Sequence, residues 1–83
     1  MGEAAGRFDL IETMAFDPAI GLPMLELHIA RLAKSADALG FIFDRHAMRN
    51  ELQAAAFGFL DAKRIRVLLS RPGQMAVEVR GAS

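Results

Sequence analysis

Between Leu25 and Leu39, apolar residues recur at helical spacing. At 100° per residue Leu25, Ile29, Leu32, Ala36 and Leu39 share one face, while Glu26, Ala30, Lys34 and Asp37 share the opposite one. This predicts a helix over about 26–39 with one buried and one wet side. Gly40 suits the position just past its end, where positive φ stops a helix. After Phe41-Ile42-Phe43, Asp44 is a good N-cap. Met48, Leu52, Ala55 and Phe59 then carry a second helix to about Phe57, ended at Gly58. Outside these helices the pattern changes to that of strands. From Arg7 to Phe16 alternation is partial, with Asp9 and Glu12 out of register, which predicts a strand partly buried on both faces and compatible with a bulge. Asp17-Pro18-Ala19-Ile20-Gly21 is turn chemistry, and Leu22 to Leu25 would form the second arm of a hairpin. Arg64 to Ser70 alternates and then turns continuously apolar. Arg71-Pro72-Gly73-Gln74, with Pro at i+1 and Gly at i+2, has the type II turn signature, and Met75 to Arg80 alternates as the returning arm.

The predicted order is therefore ββααββ. It specifies an α+β domain, a small antiparallel sheet with two helices packed on one face. Residues 7–83 form one domain, and the small polar head at 1–6 is expected to be disordered.

Composition adjusts this picture in one respect. The chain has 83 residues and no cysteine, so neither a disulfide nor a thiolate metal site supports its core. Yet 53% of its residues are hydrophobic, and the mean hydropathy is +0.24. Part of that is alanine; the remainder suggests apolar surface covered by another domain or a second copy. Ten basic residues balance ten acidic ones, and all six aromatics are Phe. That leaves neither the field nor the stacking platform of a nucleic-acid binder. No apolar run is long enough to span a bilayer, and the N-terminus has no leader pattern, so a cytoplasmic protein is expected.

Candidate chemistry gathers on one edge of the first helix, where His28, Arg31 and Ser35 form a row at i, i+3 and i+7. An arginine beside an apolar stripe needs an anion, because its guanidinium stays charged. A phosphate would suit its planar fork. The residues alone leave a second reading open, in which Arg31 snorkels or pairs with Asp or Glu. His28 reads as a packed, hydrogen-bonded histidine, Glu12 as structural, and His46 as exposed. The two histidines are far apart in sequence, so no triad or zinc site is indicated and no catalytic residue is assigned. Only two lysines are present, Lys34 on the wet side of the helix and Lys63 in the loop before a strand.

The strand Leu10-Ile11-Glu12-Thr13-Met14, the helix His28-x-x-Arg31-Leu32-x-x-Ser35-Ala36-x-x-Leu39-Gly40 and the turn Ser70-Arg71 occur in the order seen in a known family. Over about residues 8–80 the chain resembles the small N-terminal domain of the fold-type IV, pyridoxal-phosphate-dependent enzymes, the class IV aminotransferases and aminodeoxychorismate lyases. The resemblance implies that Arg31 holds the cofactor's phosphate. It implies that Ile11 occupies the position facing the substrate, usually an aromatic residue, and that Arg71 matches a strand-end arginine at the substrate. Ile11 departs from the family pattern, and the tyrosine some relatives carry five residues earlier is Gly6 here, which leaves the substrate open. The family's cofactor-binding lysine belongs to a larger C-terminal domain, and neither Lys34 nor Lys63 matches it.

The resemblance therefore implies a truncated domain that supplies a phosphate contact and a dimer surface, is not catalytically competent alone, and binds no cofactor by itself. Its partner would be the missing C-terminal domain or a second copy, since family members are typically homodimers. Glu12-Thr13-Met14-x-Phe16-Asp17-Pro18 followed by Gly21-Leu22-Pro23 looks most like the lyases tied to para-aminobenzoate synthesis, a step toward folate. Their reaction eliminates pyruvate from aminodeoxychorismate; transamination of an amino acid is the second parent reaction. The alternative is a complete, non-catalytic dimerisation or partner-binding module derived from that fold.

Overall fold

The computed structural model describes residues 8–82, so the expected head at 1–6 lies outside the described residues. Its elements are β1 (Leu10–Phe16), α1 (Leu25–Leu39), α2 (Arg45–Phe57), β2 (Lys63–Leu69) and β3 (Met75–Gly81). The strands form one antiparallel sheet in the order β1-β2-β3, with β2 central. The fold is α+β as the hydrophobic pattern predicts, in the order βααββ rather than ββααββ.

The difference lies at residues 22–25, expected as a strand. The preceding turn does form. Asp17 N donates to Gly21 O at 2.8 Å, Gly21 N donates back to Asp17 O at 2.6 Å, and Ala19 N donates to Asp17 Oδ1 at 2.7 Å. Beyond this single bridge no second arm develops. Pro23 has no N–H for a ladder, and Met24 turns into the left-handed region at φ 62°. Leu25 N instead donates to Leu22 O at 3.3 Å and His28 N to Met24 O at 3.0 Å, which starts α1 at once.

β1 is a regular strand with no bulge. Its pairing with β2 runs without interruption from Leu10↔Leu69 to Phe16↔Lys63. Strict alternation puts Glu12, Met14 and Phe16 inside and Ile11, Thr13 and Ala15 outside. β2 starts at Lys63, one residue earlier than expected, so Lys63 belongs to the strand and not to the loop. In the β2–β3 hairpin Gly73 N donates to Ser70 O and Ser70 N to Gln74 O, both at 2.9 Å. The turn therefore begins at Ser70 rather than Arg71, as a three-residue loop with Gly73 in the positive-φ position (φ 103°).

One core joins the layers. Met14, Phe16, Ile65, Val67 and Leu69 of the sheet meet Ile29, Leu32 and Ala36 of α1, Met48 and Leu52 of α2, and Phe41 between the helices. Helix ends follow local chemistry. Gly40 takes φ 77°, and Phe41 N reaches back to Ala36 O at 2.8 Å, which seats the Phe41 ring in the core. Asp44 Oδ1 accepts from His46 N at 2.9 Å and from Ala47 N at 3.1 Å. Across the helices Arg49 donates to Glu26 through Nε at 2.7 Å and Nη2 at 2.6 Å. Among the described residues no helix is long and apolar enough to cross a membrane.

Candidate functional site

Alternation along β1 puts one carboxylate among inward-facing apolar residues, and Glu12 is 7% exposed. Such a group must find donors inside the fold. They come from the polar edge of α1. His28 Nδ1 lies 2.6 Å from Glu12 Oε2, and Arg31 Nη2 lies 3.3 Å from the same oxygen. A carboxylate oxygen accepts, so across this contact His28 is the donor through Nδ1. The i, i+3 spacing of His28 and Arg31 brings both to one carboxylate.

The three residues differ in depth. The His28 side chain is 16% exposed, whereas that of Arg31 is 64% exposed. Arg31 is thus anchored at one edge by a buried carboxylate while most of its fork meets solvent. Ion pairing with Glu12 is the partner left open for it from the residues alone, and it leaves donors of the guanidinium for a further anion. Ser35, third in the row, is exposed.

Ile11 precedes Glu12 on β1 and points to the opposite face of the sheet, 51% exposed. Arg31 and Ile11 therefore lie on opposite sides of the sheet, and the structure does not bring them into one site. Arg71 is held elsewhere. Its Nη1 donates to Leu39 O at 2.8 Å, and its guanidinium stacks over the Phe41 ring at 4.6 Å and Phe8 at 5.9 Å. Leu39 is eight residues beyond Arg31 on α1, about 12 Å along the axis, so this contact draws Arg71 away from the Glu12 group. There it places a cation at the negative end of the helix dipole. Lys34 is exposed on α1, and Lys63 Nζ lies 6.0 Å from the Phe59 ring.

Two features escaped the sequence pattern. Glu12 as shared anchor had a signal, since it stands two residues before Met14 and four before Phe16. The Glu26–Arg49 pair had none, because its partners lie 23 residues apart on separate helices.

No known protein family and no curated protein matches this sequence. Among solved structures, the chain is similar to the 2.30 Å crystal structure of a protein from Mesorhizobium loti provisionally described as an amino-acid aminotransferase. The TM-score is 0.81 at 34% sequence identity over 92% of this chain. The fold is aminotransferase-like. The chain spans 37% of the length of that protein, so the likeness covers one portion of it.

Proposed function

We propose that these residues form the small N-terminal domain of a cytoplasmic fold-type IV enzyme dependent on pyridoxal phosphate, and that Arg31 contacts the cofactor's phosphate. The observation that carries this reading is Arg31 itself, fixed by buried Glu12 yet 64% exposed, in a chain whose aminotransferase-like fold extends over 92% of its length. The fit to a phosphate is chemical: a permanently charged planar fork, preoriented by one carboxylate, with donors left over. Pyridoxal phosphate, when bound, supplies the electron sink for reactions at the amino-bearing carbon.

Ile11 would border the substrate with an apolar side chain, and Arg71 would offer the remaining donors of its fork to a substrate carboxylate. Lys34 and Lys63 have no role in this reading, and the lysine that carries the cofactor comes from outside these residues. Alone, the domain is not catalytically competent. Of the two parent reactions, the Glu12-to-Pro18 motif favours lyase chemistry on aminodeoxychorismate, whereas the resemblance to the Mesorhizobium loti protein favours transamination.

Apolar side chains remain uncovered beside α2: Phe57 is 89% exposed and Leu60 87%. They support association with the larger domain or a second copy, and they equally suit a non-catalytic dimerisation module. Phosphate binding separates the two. The probe is pyridoxamine 5′-phosphate, which lacks the aldehyde that condenses with surface lysines. Titrated against the chain and followed by phosphorus NMR, it should bind weakly and lose that binding in Arg31→Ala. Binding unchanged in the variant would remove Arg31 from the site.

A further inference from the structure

Glu12 Oε2 faces two donors and holds them unequally. His28 Nδ1 lies 2.6 Å away in a hydrogen bond, whereas Arg31 Nη2 stays at 3.3 Å. That second distance is an ion pair, longer than the charge-assisted hydrogen bond of about 2.7–2.9 Å that a guanidinium makes with a carboxylate. The ranking is the reverse of what the donors' own chemistry favours. A guanidinium is permanently charged, carries five N–H donors, and fits a carboxylate with two of them at once. Glu12 nevertheless gives its oxygen to the imidazole, and the Arg31 side chain is left 64% exposed.

Depth accounts for the ranking. The His28 side chain is largely buried, like the carboxylate it meets, and it borders a cleft with Thr13, Met14 and Ala15 of β1. The imidazole thus lies along the strand that carries Glu12 and fills the approach to Oε2. Without that ring, Arg31 would need to move only about half an ångström to come within hydrogen-bond distance. Its fork would then close onto Glu12, and donors that now face solvent would be consumed.

We propose that His28 is a positioning residue for Arg31. By filling the Glu12 oxygen it holds the guanidinium open, oriented by the charge of the carboxylate but not captured by it, with donors free for the phosphate of pyridoxal phosphate. The inference rests on the reading of Arg31 as the phosphate contact, and adds to it a residue that acts through Arg31 and not on the ligand.

The first test needs no ligand. A double-mutant cycle between Glu12→Gln and Arg31→Gln, read by urea unfolding, measures the coupling of the two side chains. It is run in the parent chain, in His28→Ala and in His28→Asn. The coupling should rise about tenfold in the folding constant when His28 becomes Ala, because Arg31 closes onto Glu12. His28→Asn, whose amide carries a donor near the position of Nδ1, should return it to the parent value. Coupling that is unchanged or lower in His28→Ala would overturn the proposal, as would a rise that Asn fails to reverse.

The second test follows pyridoxamine 5′-phosphate by phosphorus NMR. His28→Ala should weaken binding about tenfold although it removes no phosphate contact. Adding Glu12→Gln to His28→Ala removes the charge that captures Arg31, so the double variant should bind more tightly than His28→Ala alone without being more stable. A purely structural role for His28 predicts further weakening, and that result would overturn the proposal. Failure of the phosphate reading shows differently: the coupling rises as expected, while Arg31→Ala leaves the binding unchanged.

Discussion

His28 Nδ1 lies 2.6 Å from Glu12 Oε2, joining the polar edge of α1 to the buried face of β1 across sixteen residues of sequence. Through this contact a carboxylate sits among core side chains with its charge answered. Because Arg31 reaches the same oxygen, the pairing also orients the guanidinium that is proposed to meet phosphate.

Removing that carboxylate strands its partners. Glu12→Ala leaves His28, largely buried, with a ring nitrogen lacking an acceptor, and should cost about 1–3 kcal/mol in urea unfolding. Arg31→Ala should cost less, about 0–1 kcal/mol, because that side chain is mostly exposed. Equal losses in the two variants would contradict the difference in depth.

Core and rim should separate cleanly. Leu52 has no exposed surface, and Leu52→Ala should cost about 2–5 kcal/mol. For 83 residues the whole stability is of the order of 4–12 kcal/mol, so this variant is close to unfolding. Phe57→Ala and Leu60→Ala should each stay within about 0.5 kcal/mol in the monomer. If they instead shift a sedimentation equilibrium toward smaller species, the exposed patch is an association surface.

The Asp44 cap is a local device with a local test. Asp44→Ala removes the acceptor of two backbone donors and should cost about 1 kcal/mol. Asp44→Ser should recover most of it. Thermal unfolding of the three chains would show the ranking, and a neutral Asp44→Ala would mean that α2 is held by packing alone.

The Glu26–Arg49 contact makes stability depend on pH. Hydrogen bonds from Arg49 hold the Glu26 carboxyl below its ordinary value of 4.5, and the same contact raises Arg49. With the folded value lowered, the unfolded chain binds more protons in this range. The contribution is therefore complete above the unfolded value and is lost as pH falls through the folded one. The Tm difference between the parent chain and Glu26→Gln should be present at neutral pH and vanish below that point. Salt should shrink it, since both groups meet water. A difference that persists at low pH would assign the effect to something other than the charge.

Where each element forms was largely legible, because the causes are local. Apolar spacing from Leu25 to Leu39 gave α1 to within one residue, and Asp44 and Gly40 marked helix ends by their own backbone chemistry. Residues 22–25 were misread because periodicity does not register the N–H that Pro23 lacks or the left-handed turn at Met24. Strand alternation was obscured at Glu12, a carboxylate on a buried face, whose donors arrive from α1.

The sequence by itself determined the α+β class, the helices and the β2–β3 hairpin, since each follows from periodicity, capping and turn chemistry within a few residues; it singled out Arg31 on α1 only through the family resemblance. Only the tertiary structure decided that Glu12 anchors His28 and Arg31 and that Arg71 closes the end of α1 at Leu39. Those relations depend on strand register and on how α1 lies over the sheet. Both are set by the packing of Ile29, Leu32 and Ala36 against Met14, Ile65 and Val67, side chains too far apart along the chain for any local pattern to pair them.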